Sequence, residues 1–145
     1  MNSLYHRTPL LSPSLRRVGI AETLHPGGGV AAALMFDDEP AAVAAWPIRY
    51  PAPDQIDVPL EFIGEVPNPV PKDGRSGYPI TLHFPANAKV GSVEAHLFDA
   101  SGTELPLHVF HPGRPAHKFP QGGAVCLLPK SALQPGVRHR VRVRL

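Results

Sequence analysis

Proline constrains this chain more than any other residue. Nineteen of the 145 residues are proline, well above the average share of about 5%. A proline ring fixes φ and removes the backbone N–H, so it interrupts helices and is poorly tolerated inside sheets. The prolines are distributed along most of the sequence, which makes long helices unfavourable almost everywhere. The sequence therefore predicts a mainly β fold of short strands, turns and extended connections.

Two apolar segments near the start predict a β-hairpin. Residues 17–24 and 30–36 are joined by His-Pro-Gly-Gly-Gly, and glycine supplies the positive φ that tight hairpin connections require. The second segment is apolar on both faces, so it needs cover above and below, as a strand between helical layers has. Left uncovered, it is a surface for self-association. Before it, residues 12–17 are predicted to form a helical turn, with Ser12 as cap and Pro13 in the first helical position.

The composition changes twice along the chain. Residues 40–76 are rich in proline and are predicted to be an extended linker, with 43–50 and 56–63 as candidates for short edge strands. From residue 77 short strands recur between Gly/Pro turns, which is typical of a β-sandwich of immunoglobulin-like topology. We therefore expect three regions, 1–39, 40–76 and 77–145. The last region is expected to fold alone.

The charge is placed unevenly although the formal net charge is only +2. No acidic residue follows Glu104, and arginine alternates with apolar residues in the last predicted strand, at Arg138, Arg140, Arg142 and Arg144. This row predicts a face for an anionic partner, such as an acidic glycan, a phospholipid headgroup or nucleic acid. For the chain as a whole, the expected partner is a cell-wall or surface glycan or protein. The alternative is a solvated face that resists edge-to-edge pairing. No aromatic residues interleave with the arginines to stack bases, so nucleic acid is not an expected partner.

The sequence offers little for catalysis. No serine lies in a Gly-x-Ser-x-Gly elbow, and Cys126 sits in an apolar run that favours a buried, unreactive thiol. His108, His111 and His117 have no regular ligand spacing, so their role stays open between a loop metal site and an exposed turn. No apolar segment has the length of a signal-peptide core or a membrane span. No catalytic residue is predicted.

Two parts of the chain resemble known families. The motif Ser3-x-x-His6-Arg7-x-x-Leu10-Leu11-x-Pro13 and the following Val-Gly-Ile-Ala resemble the second half of a bacterial CAP domain. This superfamily includes the cysteine-rich secretory proteins, antigen 5 and the plant pathogenesis-related proteins. The segment Gly-Tyr-Pro-Ile-Thr-Leu at 77–82, with Leu-Pro-Lys-Ser-Ala-Leu-Gln-Pro-Gly at 128–136, is similar to bacterial Ig-like modules. Together they imply the tail of an α-β-α CAP domain in residues 1–39, followed by an Ig-like sandwich, in a C-terminal piece of a longer protein.

The resemblance also implies a site and a location. His6 matches the downstream histidine of the CAP cleft, with Ser3 and Arg7 as its supporting motif. In some family members this histidine helps to hold a divalent metal, which here would need ligands from an upstream half. The first functional expectation is an extracellular or cell-envelope protein with a non-enzymatic binding or accessory role. The alternatives are a stand-alone Ig-like module that binds glycan or protein, and a metal-dependent hydrolase whose other site residues lie upstream of Met1.

Overall fold

The computed structural model describes residues 3–38, 46–85, 87–117 and 121–145, and this part of the chain is mainly β. It contains two short 3-10 turns, at Pro9–Leu11 and Pro71–Asp73, and no α-helix within the described ranges. The described ranges contain eleven strands. They are β1 Leu15–Leu24, β2 Val30–Asp38, β3 Ile48–Tyr50, β4 Glu61–Phe62, β5 Ser76–Gly77, β6 Ile80–His83, β7 Glu94–Phe98, β8 Glu104–Leu105, β9 Leu107–Phe110, β10 Ala124–Pro129 and β11 Arg140–Arg144.

The strands form two main antiparallel sheets and two smaller pairs. Sheet I has the order β3-β6-β10-β9, and sheet II has the order β11-β7-β8. Strands β1 and β2 pair only with each other among the described strands, as do β4 and β5. The fold therefore belongs to the mainly β, sandwich-like class that the sequence predicts.

Alternate residues of each sheet build the core between sheets I and II. Val125 and Leu127 of β10 are fully buried, and they pack with Ala95 of β7 and Val143 of β11 in one cluster. Leu82 of β6 lies beside Val125 in the ladder and joins the same cluster. Burying these apolar side chains removes them from water, which is the main stabilising contribution to the sandwich.

The opposite face of sheet I is covered by residues that come before residue 77. Leu4 is buried against Ala124 and Cys126, and Phe62 is buried against Leu128. Strand β10 is therefore covered on both sides, which explains why its six residues read as a continuous apolar run and are all buried.

The hairpin of β1 and β2 confirms the predicted pairing of these two segments, but its two faces differ. Residues that are directly opposite in an antiparallel pair share a face. One face carries six large apolar side chains, which we call the hairpin apolar face: Val18, Ile20, Leu24, Val30, Leu34 and Phe36. The other face carries the Arg17–Asp37 ion pair, Met35 and small residues. All six side chains of the apolar face are exposed.

Two local expectations differ from the structure. The predicted helical turn over 12–17 is wrong, because the 3-10 turn ends at Leu11 and β1 begins at Leu15. The region expected to be an extended linker instead contributes to the fold. Its two candidate edge strands are present in part, as β3 at the edge of sheet I and as β4, which holds the buried Phe62 and pairs with β5. The candidate strand at 43–50 begins outside the described residues, and its described part forms β3. Whether the chain folds as three units stays a prediction.

Candidate functional site

A tight turn at the start of the described chain is bound to the carboxylate of Glu65. The amides of Leu4 and Tyr5 donate to Glu65 Oε1 at 2.6 and 3.0 Å, and the Ser3 hydroxyl donates to Glu65 Oε2. Ser3 Oγ also accepts a hydrogen bond from the His6 amide at 3.0 Å. The Glu65 side chain is 7% exposed, so this carboxylate depends on the turn for its hydrogen bonds.

The same carboxylate orients His6. His6 Nδ1 lies 2.9 Å from Glu65 Oε2 and 3.0 Å from Ser3 Oγ, while the side chain is 74% exposed. Donation from Nδ1–H to the carboxylate fixes the tautomer in which Nε2 carries the lone pair, as in histidines that bind metals. The trio is not arranged as a catalytic triad, because Ser3 and Glu65 meet the same ring nitrogen. A triad needs the serine and the carboxylate on opposite nitrogens.

The described residues do not make a metal centre around His6. A zinc site uses three or four protein ligands, and the described part of the chain contains no group of three His, Cys, Asp or Glu residues that could hold a metal ion. His6 with its Glu65 partner supplies one ligand. The divalent metal that the CAP resemblance implies therefore does not fit the residues described.

Arg7 joins this turn to sheet I. Its side chain is fully buried, with the guanidinium carbon 4.9 Å from the Tyr50 ring centroid and 5.0 Å from that of Tyr78. Nη1 donates to the carbonyl of Pro79 at 3.0 Å, and Nε donates to the carbonyl of Ser3. Burial lowers the pKa of Arg7, and the two aromatic faces together with the carbonyls stabilise its charge. Arg7 therefore has a structural role.

Two buried titratable groups lie on the same side of sheet I. Burial, and then the charge of Arg7, lower the pKa of His83 to about 4, and its Nε2 lies 2.9 Å from Thr81 Oγ1. Burial raises the pKa of the Cys126 thiol to about 12, which confirms the buried, unreactive cysteine that the sequence predicts. Neither group is poised for catalysis at neutral pH.

The predicted arginine row lies on and just before β11, and most of its members have local partners. Arg138 Nη1 lies 3.5 Å from Asp54 Oδ1, and Arg144 Nη1 lies 3.4 Å from Glu94 Oε2. The Arg142 guanidinium is 5.8 Å from the Phe98 ring centroid. Arg140 has no acidic partner within the described ranges. The row is thus partly neutralised, and it remains exposed.

An open groove of about 940 Å³ runs between β3 at the edge of sheet I and β11 at the edge of sheet II. Apolar side chains from both sheets line it, among them Leu82 and Val141, together with Arg49 and three members of the arginine row. Sequence reasoning identified the row but missed the groove, because Arg49 and β11 meet only through sheet packing.

A histidine between two carboxylates on sheet II was not identified from the sequence. His96 Nδ1 lies 2.7 Å from Glu104 Oε1 and Nε2 lies 3.1 Å from Glu94 Oε1. The hydrogen bonds to Glu104 and then to Glu94 raise the pKa of His96. The alternation of β7 places Glu94 and His96 on one face, but Glu104 arrives only through the β7–β8 register. Identifying this contact from the sequence would have required the correct β7–β8 register.

The three histidines of the later loop region are placed separately. His108 stacks on Phe110 with ring centroids 6.3 Å apart, and His111 pairs through its backbone with Arg114. His117 Nε2 lies 2.6 Å from the carbonyl oxygen of Asn68. These contacts give each ring its own surroundings and do not assemble a ligand set.

Neither location nor family is established by the structure. The described ranges contain no helix with the length and apolar character needed to cross a bilayer. The resemblance to CAP and Ig-like families stays a prediction. Comparison with known proteins finds no family model, no curated protein and no solved structure that matches this chain.

Proposed function

We propose that this chain is a non-enzymatic binding or accessory module of a bacterial CAP-type protein, located outside the cell or in the cell envelope. In this proposal residues 1–39 correspond to the tail of a CAP domain and residues 77–145 to an Ig-like sandwich. The proposal assigns no reaction to the chain. Its role is to hold a partner through exposed surfaces, among them the hairpin apolar face.

The observation that carries the proposal is the hairpin apolar face. Single exposed apolar residues are ordinary on protein surfaces, but several large ones on one face mark an interaction site. Glu22 lies on the same face, between the pairs Ile20–Leu34 and Leu24–Val30. Ile20 and Leu24 are 75% and 79% exposed, and Val30 is 63% exposed. A two-stranded hairpin is marginally stable on its own, so this one requires a covering layer. In a CAP-type protein that layer is helical.

The structured turn around His6 supports the same proposal. The motif residues Ser3, His6 and Arg7 are all engaged, the first two with Glu65 and the third with the two tyrosines. The turn itself packs on sheet I through Leu4 and Arg7, and the His6 side chain is 74% exposed. This placement is compatible with a cleft formed against a covering layer.

The experiment that tests the proposal is fractionation of the source cells with an antibody raised against the sandwich. We expect the antigen in the medium or the envelope fraction, with a cytoplasmic enzyme as the marker for lysis. An antigen found only with the cytoplasmic marker would overturn the extracellular CAP assignment.

The groove between β3 and β11 favours the second candidate, a stand-alone module that binds a glycan or a protein. This candidate needs neither the hairpin nor His6. Deleting the hairpin strands, residues 15–38, while keeping ligand binding would favour it over the CAP-type role. The third reading, a metal-dependent hydrolase, gains no support from the described residues, which supply one ligand at His6.

A further inference from the structure

The groove between β3 and β11 is bounded by a strand edge that has no partner among the described strands. β11 pairs with β7, and its other edge faces the groove. Every residue from 137 to 143 lines the groove, although side chains of successive residues point to opposite faces. The backbone edge of β11 itself therefore forms one wall, with its N–H and C=O groups available to another strand.

The other walls of the groove carry apolar side chains at its base and arginine side chains at its rim. Ile80, Leu82 and Val141 line the apolar part. The rim carries four arginines: Arg49, Arg138, Arg140 and Arg142. Among the described lining residues Asp54 is the acidic one, and it is already paired with Arg138. The groove thus has an excess of positive charge beside an apolar surface.

We propose that this groove binds an extended acidic peptide of a partner protein, which adds as a strand to the free edge of β11. The alternation of β11 is the main argument. Its arginines recur at every second residue, which is the side-chain period of any strand that pairs beside it. A peptide with acidic residues at every second position places them next to Arg140 and Arg142, and the intervening side chains enter the apolar groove.

The spacing of the arginines that line the groove fits an extended acidic peptide better than a compact anion. Arg140 and Arg49 have no acidic partner in the described part of the chain, and they come from strands on opposite sides of the groove. A single phosphate or carboxylate cannot meet arginines spread along a strand, whereas an extended chain can. The inference goes beyond the proposed function and holds whether or not the CAP assignment does.

The test uses the full chain and a fluorescein-labelled peptide in which glutamate alternates with valine and threonine. Fluorescence anisotropy gives the Kd. We expect the double variant Arg140→Glu/Arg142→Glu to raise the Kd by about tenfold or more, because like charges then oppose each other. The matched control is Arg16→Glu/Arg114→Glu, which changes the net charge equally at exposed positions outside the groove. The control should keep the Kd within about twofold.

Strand addition is tested separately from charge by methylating the backbone nitrogen of alternate peptide residues. This peptide keeps its charge but loses hydrogen-bond donors, so its Kd should also rise by about tenfold. Absence of binding would overturn the proposal. So would a methylated peptide, or a peptide with the same glutamates in one block, that binds with the same Kd as the alternating peptide. The proposal would also be overturned by tighter binding of a single-stranded oligonucleotide, or by a dimer of the chain through β11 that excludes the peptide.

Discussion

At the scale of the residue, Glu65 contacts four consecutive residues of the N-terminal turn. It accepts hydrogen bonds from the amides of Leu4 and Tyr5 and from the side chain of Ser3, and it orients His6. Hydrogen bonds to a buried carboxylate are stronger than those between neutral groups. The conformation of the turn therefore depends on Glu65, while Leu4 and Arg7 anchor the turn to sheet I.

Replacing Glu65 with alanine should destabilise the protein by roughly 3 kcal/mol, because two buried backbone donors lose their acceptor. The control is Glu61→Ala, which removes an exposed carboxylate 3.4 Å from Arg75 and should cost less than about 0.5 kcal/mol. Urea unfolding of the two variants and the native chain gives both values. Equal losses for the two variants would contradict the role given to Glu65.

His83 should make stability fall as the pH falls. Burial lowers the pKa of His83 to about 4 in the folded chain, from the ordinary histidine value of 6.5 that applies in the unfolded chain. As the pH falls, the unfolded chain therefore takes up the proton first. Stability is lost as the pH falls from 6.5 towards 4, and no further loss from His83 follows below that. The shift corresponds to roughly 3 kcal/mol. Urea unfolding across this window should show a steeper decline for the native chain than for His83→Gln, and parallel curves would contradict the prediction.

At the scale of the element, the short strand β5 lies too close to the end of β10 for any side chain. A Cβ on Gly77 would lie 2.6 Å from Pro129 Cβ and 2.6 Å from the carbonyl oxygen of Ser131. Gly77→Ala should therefore force these segments apart and lower the free energy of unfolding by about 1 to 3 kcal/mol. Gly91→Ala is the control, because no atom lies within 4 Å of its added Cβ. A thermal melt compares the two, and equal midpoints would argue against the close approach.

The hairpin apolar face should be removable without loss of the fold. Ile20 and Leu34 are directly opposite and exposed, so Ile20→Lys/Leu34→Glu replaces an apolar pair with an ion pair. We expect lower binding of anilinonaphthalene sulfonate and less self-association, with stability changed by less than about 0.5 kcal/mol. Ala21→Lys/Ala33→Glu, on the other face, should leave dye binding unchanged. A large loss of stability from the first pair would mean that the face is already covered.

At the scale of the whole molecule, the sequence predicted what depends on local pattern. Three glycines between two apolar segments identified the hairpin, and the spacing of short strands identified the mainly β class. The sequence did not predict the hydrogen bond between Ser3 and Glu65. These residues are 62 positions apart, and a local pattern gives no information on contacts over that separation. The position of His96 between Glu94 and Glu104 was also not predicted, because Glu104 approaches His96 only through the register of β7 and β8.

The packing of sheet I alters the expectation that residues 77–145 fold alone. Strand β3, Phe62 and Leu4 cover sheet I from outside that range. Without them Cys126 and Leu128 face water, and the fragment loses buried apolar area. We expect the fragment to melt at a lower temperature than the full chain and to bind anilinonaphthalene sulfonate. A fragment that melts at the same temperature without binding the dye would contradict this.

The burial of Leu4 against Ala124 and Cys126 has a consequence for biosynthesis. The first turn of the chain leaves the ribosome long before β10 exists, so the surface that it docks on is still to be translated. Contacts between such distant segments require closing a long loop, which slows folding. The docked turn at residues 3–7 therefore becomes native only after β10 has been synthesised, and it is available to chaperones until then.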